Sequence, residues 1–264
     1  MSTPEGSPAP RQAPPDSARD PATGTQLEGL AQRAITSRSI ARMAETTELA
    51  PRQLQERQII HRDGSGRHQA DAFREIRTRL LALGGGQNFV TLVVSVSPGS
   101  GGSFVARNLA AAFAFDEAMT ALLVDCHFRH PAQHTAMGVD TSNGGLADYL
   151  DHPALGIENI LYRTGVPRLR LIPTGRAREM RGEYLSSFRM RAVIDSLRCR
   201  YPDRYLVLDG PAVKGSPDAR IAADLADFVV LVAGYGRDTP AAITHAASVF
   251  DPNKFAGVVF NERP

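Results

Sequence analysis

The chain is poor in lysine. Of its thirty basic residues only Lys214 and Lys254 are lysines, so a site that needs a compact ammonium group has almost none to draw on. Tryptophan is absent and aromatic residues make up only 6% of the 264, which leaves core packing to aliphatic side chains. Two cysteines, Cys126 and Cys199, exclude a disulfide framework and fit a reducing compartment. No run approaches the roughly 20 consecutive apolar residues of a membrane-spanning helix. No basic stretch followed by an apolar one marks a secretory leader. A net charge of +2 with both signs interspersed offers no basic field for nucleic acid. The expectation is a cytoplasmic globular protein, and 42% hydrophobic residues suffice for a sizeable core.

Residues 1–24 are rich in proline, serine, glycine and alanine and read as a disordered tail. Over 25–68, Leu27, Leu30, Ile35, Ile40, Met43, Leu49 and Leu54 are loosely spaced, as in short helices that dock on something. The segment 61–68 (HRDGSGRH) is polar and loop-like, so the folded domain is expected over 69–264. There, short apolar runs alternate with helical patterns. Phe89–Val96, Ala121–Asp125, Leu169–Pro173, Tyr205–Asp209, Phe228–Ala233 and Ala256–Asn261 are nearly continuous in apolar residues, as parallel strands covered on both faces should be. Ser103–Phe115, Tyr184–Arg200, Ala219–Ala226 and Pro240–Phe250 carry helical periodicity. The alternation predicts a doubly wound, mostly parallel α/β sheet.

The turn after the first strand runs Ser97-Pro98-Gly99-Ser100-Gly101-Gly102-Ser103-Phe104 and opens a helix. Glycines between a strand and a helix N-terminus let backbone N–H groups converge on an anion, although a tight turn alone also needs glycine. Two later strands end in a carboxylate, at Asp125 and Asp209. A serine in the loop with acidic residues at neighbouring strand ends is the arrangement that P-loop proteins use for magnesium. On these grounds Ser103, Asp125 and Asp209 are the candidate magnesium ligands.

The run SVSPGSGGSFVARNLAAAFA resembles the phosphate loop of the bacterial tyrosine kinases of capsule and exopolysaccharide synthesis, whose pattern is S-x-x-PGEGKST-x-x-x-NLA. LLVDCHFRHP is similar to that family's second signature, LLIDADLRRP, and YLVLDGP to its third, a strand ending in D-x-P-P. GGLADYL, LIPTG and GVVFN also match, and the resemblance spans about three-quarters of the chain, from Gln69 to Asn261. It implies a P-loop NTPase fold of the partitioning-ATPase type, with ATP or ADP and magnesium as ligands and Gly99, Ser100, Gly101, Gly102, Ser103 and Phe104 as the nucleotide loop. Upstream, DAFREIRTRLL is similar to the family segment that builds rings, so the resemblance gives Asp71, Arg74 and Arg77 a role in oligomers.

The departures fall on the chemistry. Gly102 stands at the family's lysine and Phe104 at its threonine, His127 replaces the second aspartate of the second signature, and Ala212 follows Pro211 in the third. The P-loop lysine neutralises the β- and γ-phosphates, and each charge-assisted contact of that kind is worth about 1.5–3 kcal/mol. Two substitutes are candidates: Lys214, or an arginine such as Arg74 or Arg77 from a neighbouring subunit. Cys126, His127, His130 and His134 crowd into nine residues, a density that suggests zinc, although a strand end would project Cys126 and His127 oppositely. The tyrosines are scattered, with no tyrosine-rich tail of the type the family autophosphorylates. The expected function is a non-catalytic or weakly nucleotide-binding regulator in polysaccharide assembly. Its expected partners are a membrane polysaccharide co-polymerase, which would bring it to the inner membrane, or an active kinase or itself in a ring. The alternatives are an active autokinase or ATPase with an atypical loop, and a partitioning-type ATPase with another cargo.

Overall fold

A computed structural model describes residues 48–61, 66–176, 183–200 and 202–262. The expectations for residues 1–47 lie outside the described residues. The described chain opens with α1 (Pro51–Glu56) and α2 (Arg67–Gly84), then β1 (Val90–Ser95) and α3 (Gly102–Ala114). β2 (Thr120–Asp125) leads into the short helices α4 (Gln133–Met137) and α5 (Leu146–Asp151), followed by β3 (Tyr162–Arg163) and β4 (Leu169–Ile172). The rest comprises α6 (Glu183–Ser186), α7 (Phe188–Cys199), β5 (Arg204–Asp209), α8 (Asp218–Ala223), β6 (Phe228–Gly234), α9 (Pro240–Ala247) and β7 (Phe255–Asn261).

The strands form one sheet in the order β3-β4-β2-β5-β1-β6-β7. All pairings are parallel except the edge pair β3–β4. Alternation within each strand feeds two cores. Val90, Leu92 and Val94 of β1, with Leu122, Val124, Leu206 and Leu208, pack on one face against α5, α7 and α8. Val93, Ala121, Leu123 and Val207 pack on the other against α2 and α3. Both faces are dry, which is why these strands read as unbroken apolar runs. The doubly wound sheet expected from the sequence is the architecture observed.

Several elements differ from the sequence expectation, among them α4 and α5, which lie where no helix was expected. The helix expected over Tyr184–Arg200 is broken at Ser187, an extended residue (ψ 144°) whose Oγ accepts a hydrogen bond from the Met190 N–H. A serine hydroxyl that caps the following turn competes with continuation of the helix before it. The edge strand β3 is two residues long, too short for any periodicity to show.

The folded body also takes in residues ahead of Gln69. Ile59 and Ile60 are each 2% exposed, and the Leu49 N–H donates to Gly165 O at 2.9 Å. Asn108, fully buried on α3, holds this strap. Its Oδ1 accepts from the Ile60 N–H at 2.7 Å, and its Nδ2 donates to Gln58 O and Phe104 O, both at 3.0 Å. α3 is itself enclosed, with eleven of its thirteen residues buried, so the strap is tied to the central helix of the domain. Asn108→Ala leaves buried backbone groups unpaired, and urea unfolding is expected to show a loss of about 1–3 kcal/mol, with faster amide exchange at Ile59 and Ile60.

Candidate functional site

The β1–α3 loop lies at the carboxyl ends of the strands, where open α/β sheets bind ligands. Gly99 and Gly101 have φ of +81° and +94°, which side-chain-bearing residues rarely adopt. Gly101 is the N-cap of α3, so the first-turn N–H groups of a thirteen-residue helix point out of the sheet with no intrahelical acceptor. The ends of β6 and β7 set the shape of the loop. Asp238 Oδ2 accepts from Ser100 Oγ at 2.6 Å and from the Gly234 N–H at 2.8 Å. Arg237 Nη1 donates to Pro98 O at 3.1 Å, and Asn261 Nδ2 donates to Ser100 O at 3.2 Å. The outer side of the loop is closed by these contacts: a Cβ on Gly99 would lie 2.9 Å from Arg237 Nη1, and one on Gly101 would collide with Asn261 Nδ2.

Asp125 and Asp209 are register partners on adjacent strands, and both are wholly buried. Asp125 Oδ1 accepts from the His127 N–H, and its Oδ2 from the N–H groups of Ala132 and Gln133, all at 3.1 Å. Asp209 Oδ1 accepts from Ser103 Oγ at 3.1 Å and its Oδ2 from Gln133 Nε2 at 2.7 Å. Burial and the neighbouring Asp125 push the Asp209 carboxyl up to about 7, and burial raises Asp125 as well. Behind the pair sits Arg107, 4% exposed, with Nη1 3.3 Å from Gln133 Oε1. Burial lowers its pKa and the charge of Asp209 opposes that shift.

The remaining sequence candidates fall in different places. Gly102 is buried at the start of α3, where an added Cβ would lie 3.2–3.3 Å from Ser95. Phe104 packs edge-on against Phe73 of α2 at 6.0 Å, a core contact. Lys214 is exposed, with its N–H donating to Val96 O at 3.0 Å. Asp71 and Arg74 are exposed on α2. Arg77 turns inward, donating to Ala112 O at 2.7 Å with Nη2 3.9 Å from Asp116. These atoms lie at the C-terminal end of α3, opposite the loop. Burial raises the Cys126 thiol, and among the described residues no three of His, Cys, Asp and Glu are grouped as a metal site. Arg107, Gln133, Arg237, Asp238 and Asn261 were not among the sequence candidates. Arg107 does carry a signal, as a charge within the apolar run of α3.

No protein-family profile matches the chain. Tyrosine-protein kinase Wzc of Salmonella typhimurium is 31% identical over 194 residues, which is 72% of this chain and 26% of Wzc. Tyrosine-protein kinase CpsD of Streptococcus agalactiae is 27% identical over 192 residues, 72% of this chain and 82% of CpsD. Among solved structures, the kinase domain of VpsO has a TM-score of 0.64 at 25% identity, covering 73% of this chain and 95% of that domain. The chain belongs to the bacterial tyrosine-kinase family. It spans about a quarter of the length of Wzc. The cell-division ATPase MinD of Pyrococcus furiosus, with a TM-score of 0.53 at 23% identity over 65% of this chain and 70% of MinD, shares the fold. No helix among the described residues is long and apolar enough to cross a membrane.

Bacterial tyrosine kinases and P-loop ATPases make a nucleotide with magnesium the ligand to test against these residues. The positive-φ glycines ahead of the α3 N-terminus are of the type that receives a phosphate. Magnesium does not fit the carboxylates as they stand, because every oxygen of Asp125 and Asp209 already accepts from a protein donor and the pair has no exposure through which a hydrated ion could be held.

The raised Asp209 pKa makes stability pH-dependent. Its folded value of about 7 lies above the ordinary 3.8, so the folded state holds a proton that the unfolded state has lost across this window. The melting temperature is expected to fall as pH rises from about 4 to about 7 and then to level off. Asp209→Asn should flatten that slope, as scanning calorimetry at stepped pH would reveal.

Proposed function

We propose that this chain is a regulatory, non-phosphorylating member of its family, serving exopolysaccharide or capsule assembly. It offers a glycine-rich phosphate loop without the lysine of the family pattern. Its partner would be a membrane polysaccharide co-polymerase or an active kinase of the same family, with Asp71 and Arg74 on the exposed side of α2 available to a ring. Arg77 would join such a ring only by leaving Ala112 and Asp116. The observation that carries this reading is Gly102, buried where the family pattern has lysine. Lys214 is exposed after β5 with its N–H on Val96 O, and Arg107 lies buried behind the loop; neither belongs to the loop that carries the family's lysine. Phosphoryl transfer is accelerated chiefly by positioning and charge stabilisation, and a loop of amides supplies the first without the second.

The reading is tested by assaying ATP hydrolysis and phosphotyrosine formation on purified protein, beside calorimetric titration with ATP. Hydrolysis and phosphotyrosine at background are expected. Gly102→Lys should tighten ATP binding roughly ten- to a hundredfold, provided Ser95 yields the few tenths of an ångström that a Cβ requires. Turnover near 1 s⁻¹, ordinary for kinases, in the unaltered chain would instead establish an active autokinase or ATPase.

A further inference from the structure

We infer that Arg107, relayed through Gln133, supplies the positive charge beside Asp209 in the place a divalent cation would occupy, so that the carboxylate pair holds no metal.

The three side chains form an ordered series. Gln133 Nε2 donates to Asp209 Oδ2 at 2.7 Å and to Ser103 O at 2.8 Å, which uses both of its hydrogens. Its Oε1 is left to accept from Arg107 Nη1 at 3.3 Å. The amide dipole therefore points from the guanidinium to the Asp209 carboxyl. Gln133 is itself fully buried, and Arg107 is 4% exposed with its Nε unpartnered. An arginine held this deep needs a nearby anion to offset its desolvation, and Asp209 is the anion whose charge acts on it. A divalent ion entering beside Asp209 would have to displace the Gln133 amide and the Ser103 hydroxyl, and would meet a fixed positive charge behind them. Magnesium also retains several waters in an octahedral shell, for which a wholly buried carboxylate pair gives no access. The contacts on the outer side of the loop do not involve Asp125 or Asp209, so the amide cradle keeps its shape independently of any metal.

The inference does not depend on the proposed function. It is tested on metal alone, so failure of the regulatory reading and failure of this one are separate results. The full chain is titrated with Mn²⁺ at neutral pH without nucleotide, and free metal is read by electron paramagnetic resonance. The unaltered protein is expected to leave Mn²⁺ free into the millimolar range. Gln133→Ala frees one Asp209 oxygen and Arg107→Met removes the internal charge; each is expected to take up Mn²⁺ at least tenfold more tightly, with a metal-dependent rise in melting temperature. If Arg107→Met does not fold, Gln133→Ala carries the comparison alone. Saturable sub-millimolar uptake by the unaltered chain, abolished in Asp209→Asn, would overturn the inference. So would equal uptake by the unaltered chain and Gln133→Ala.

Discussion

Two carboxylates stand side by side in a dry interior, and the surroundings of the site are arranged around that fact. Asp125 and Asp209 end neighbouring parallel strands in register, so the sheet geometry forces them together. Neither can be hydrated, and two bare negative charges at that separation are not tolerated in a low-dielectric core. The protein answers in three ways. Backbone N–H groups of 127, 132 and 133 converge on Asp125. A hydroxyl and an amide converge on Asp209. Finally, a proton is retained into the neutral range with a guanidinium one amide away. The loop serine and the helix α3 are held in place by the same bonds.

The glycine loop depends on a separate set of contacts. Its backbone is fixed from outside by Asp238, Arg237 and Asn261, and it stays shaped although its sequence lacks the lysine.

Much of the fold was legible because burial on both faces writes parallel strands as continuous apolar runs, and the six runs named from the sequence coincide with strands to within a residue or two. β3 was not legible, since two residues carry no period. Ser187 was missed because one hydroxyl outweighs the helical spacing on either side of it. In the site, Ser103, Asp125 and Asp209 were readable, as each sits directly after an apolar strand or within the glycine loop. Gln133, Asp238 and Asn261 were not, because the bonds that bring them to Ser103, Asp209 and Ser100 span 30 to 161 positions. The N-terminal strap showed only loose spacing, its anchor being a single asparagine inside α3.

The outer contacts of the loop have a consequence for the order in which the protein takes shape. Ser100 is joined to Asp238 across 138 positions and to Asn261 across 161. A chain emerging from a ribosome in the direction of synthesis exposes the glycine turn early and the side chains that shape it last. Until β6 and β7 have docked, the turn is an open glycine-rich segment free to sample many conformers. The shape of the loop is therefore acquired at the end of folding, and a nascent or C-terminally clipped chain would carry the motif without that shape.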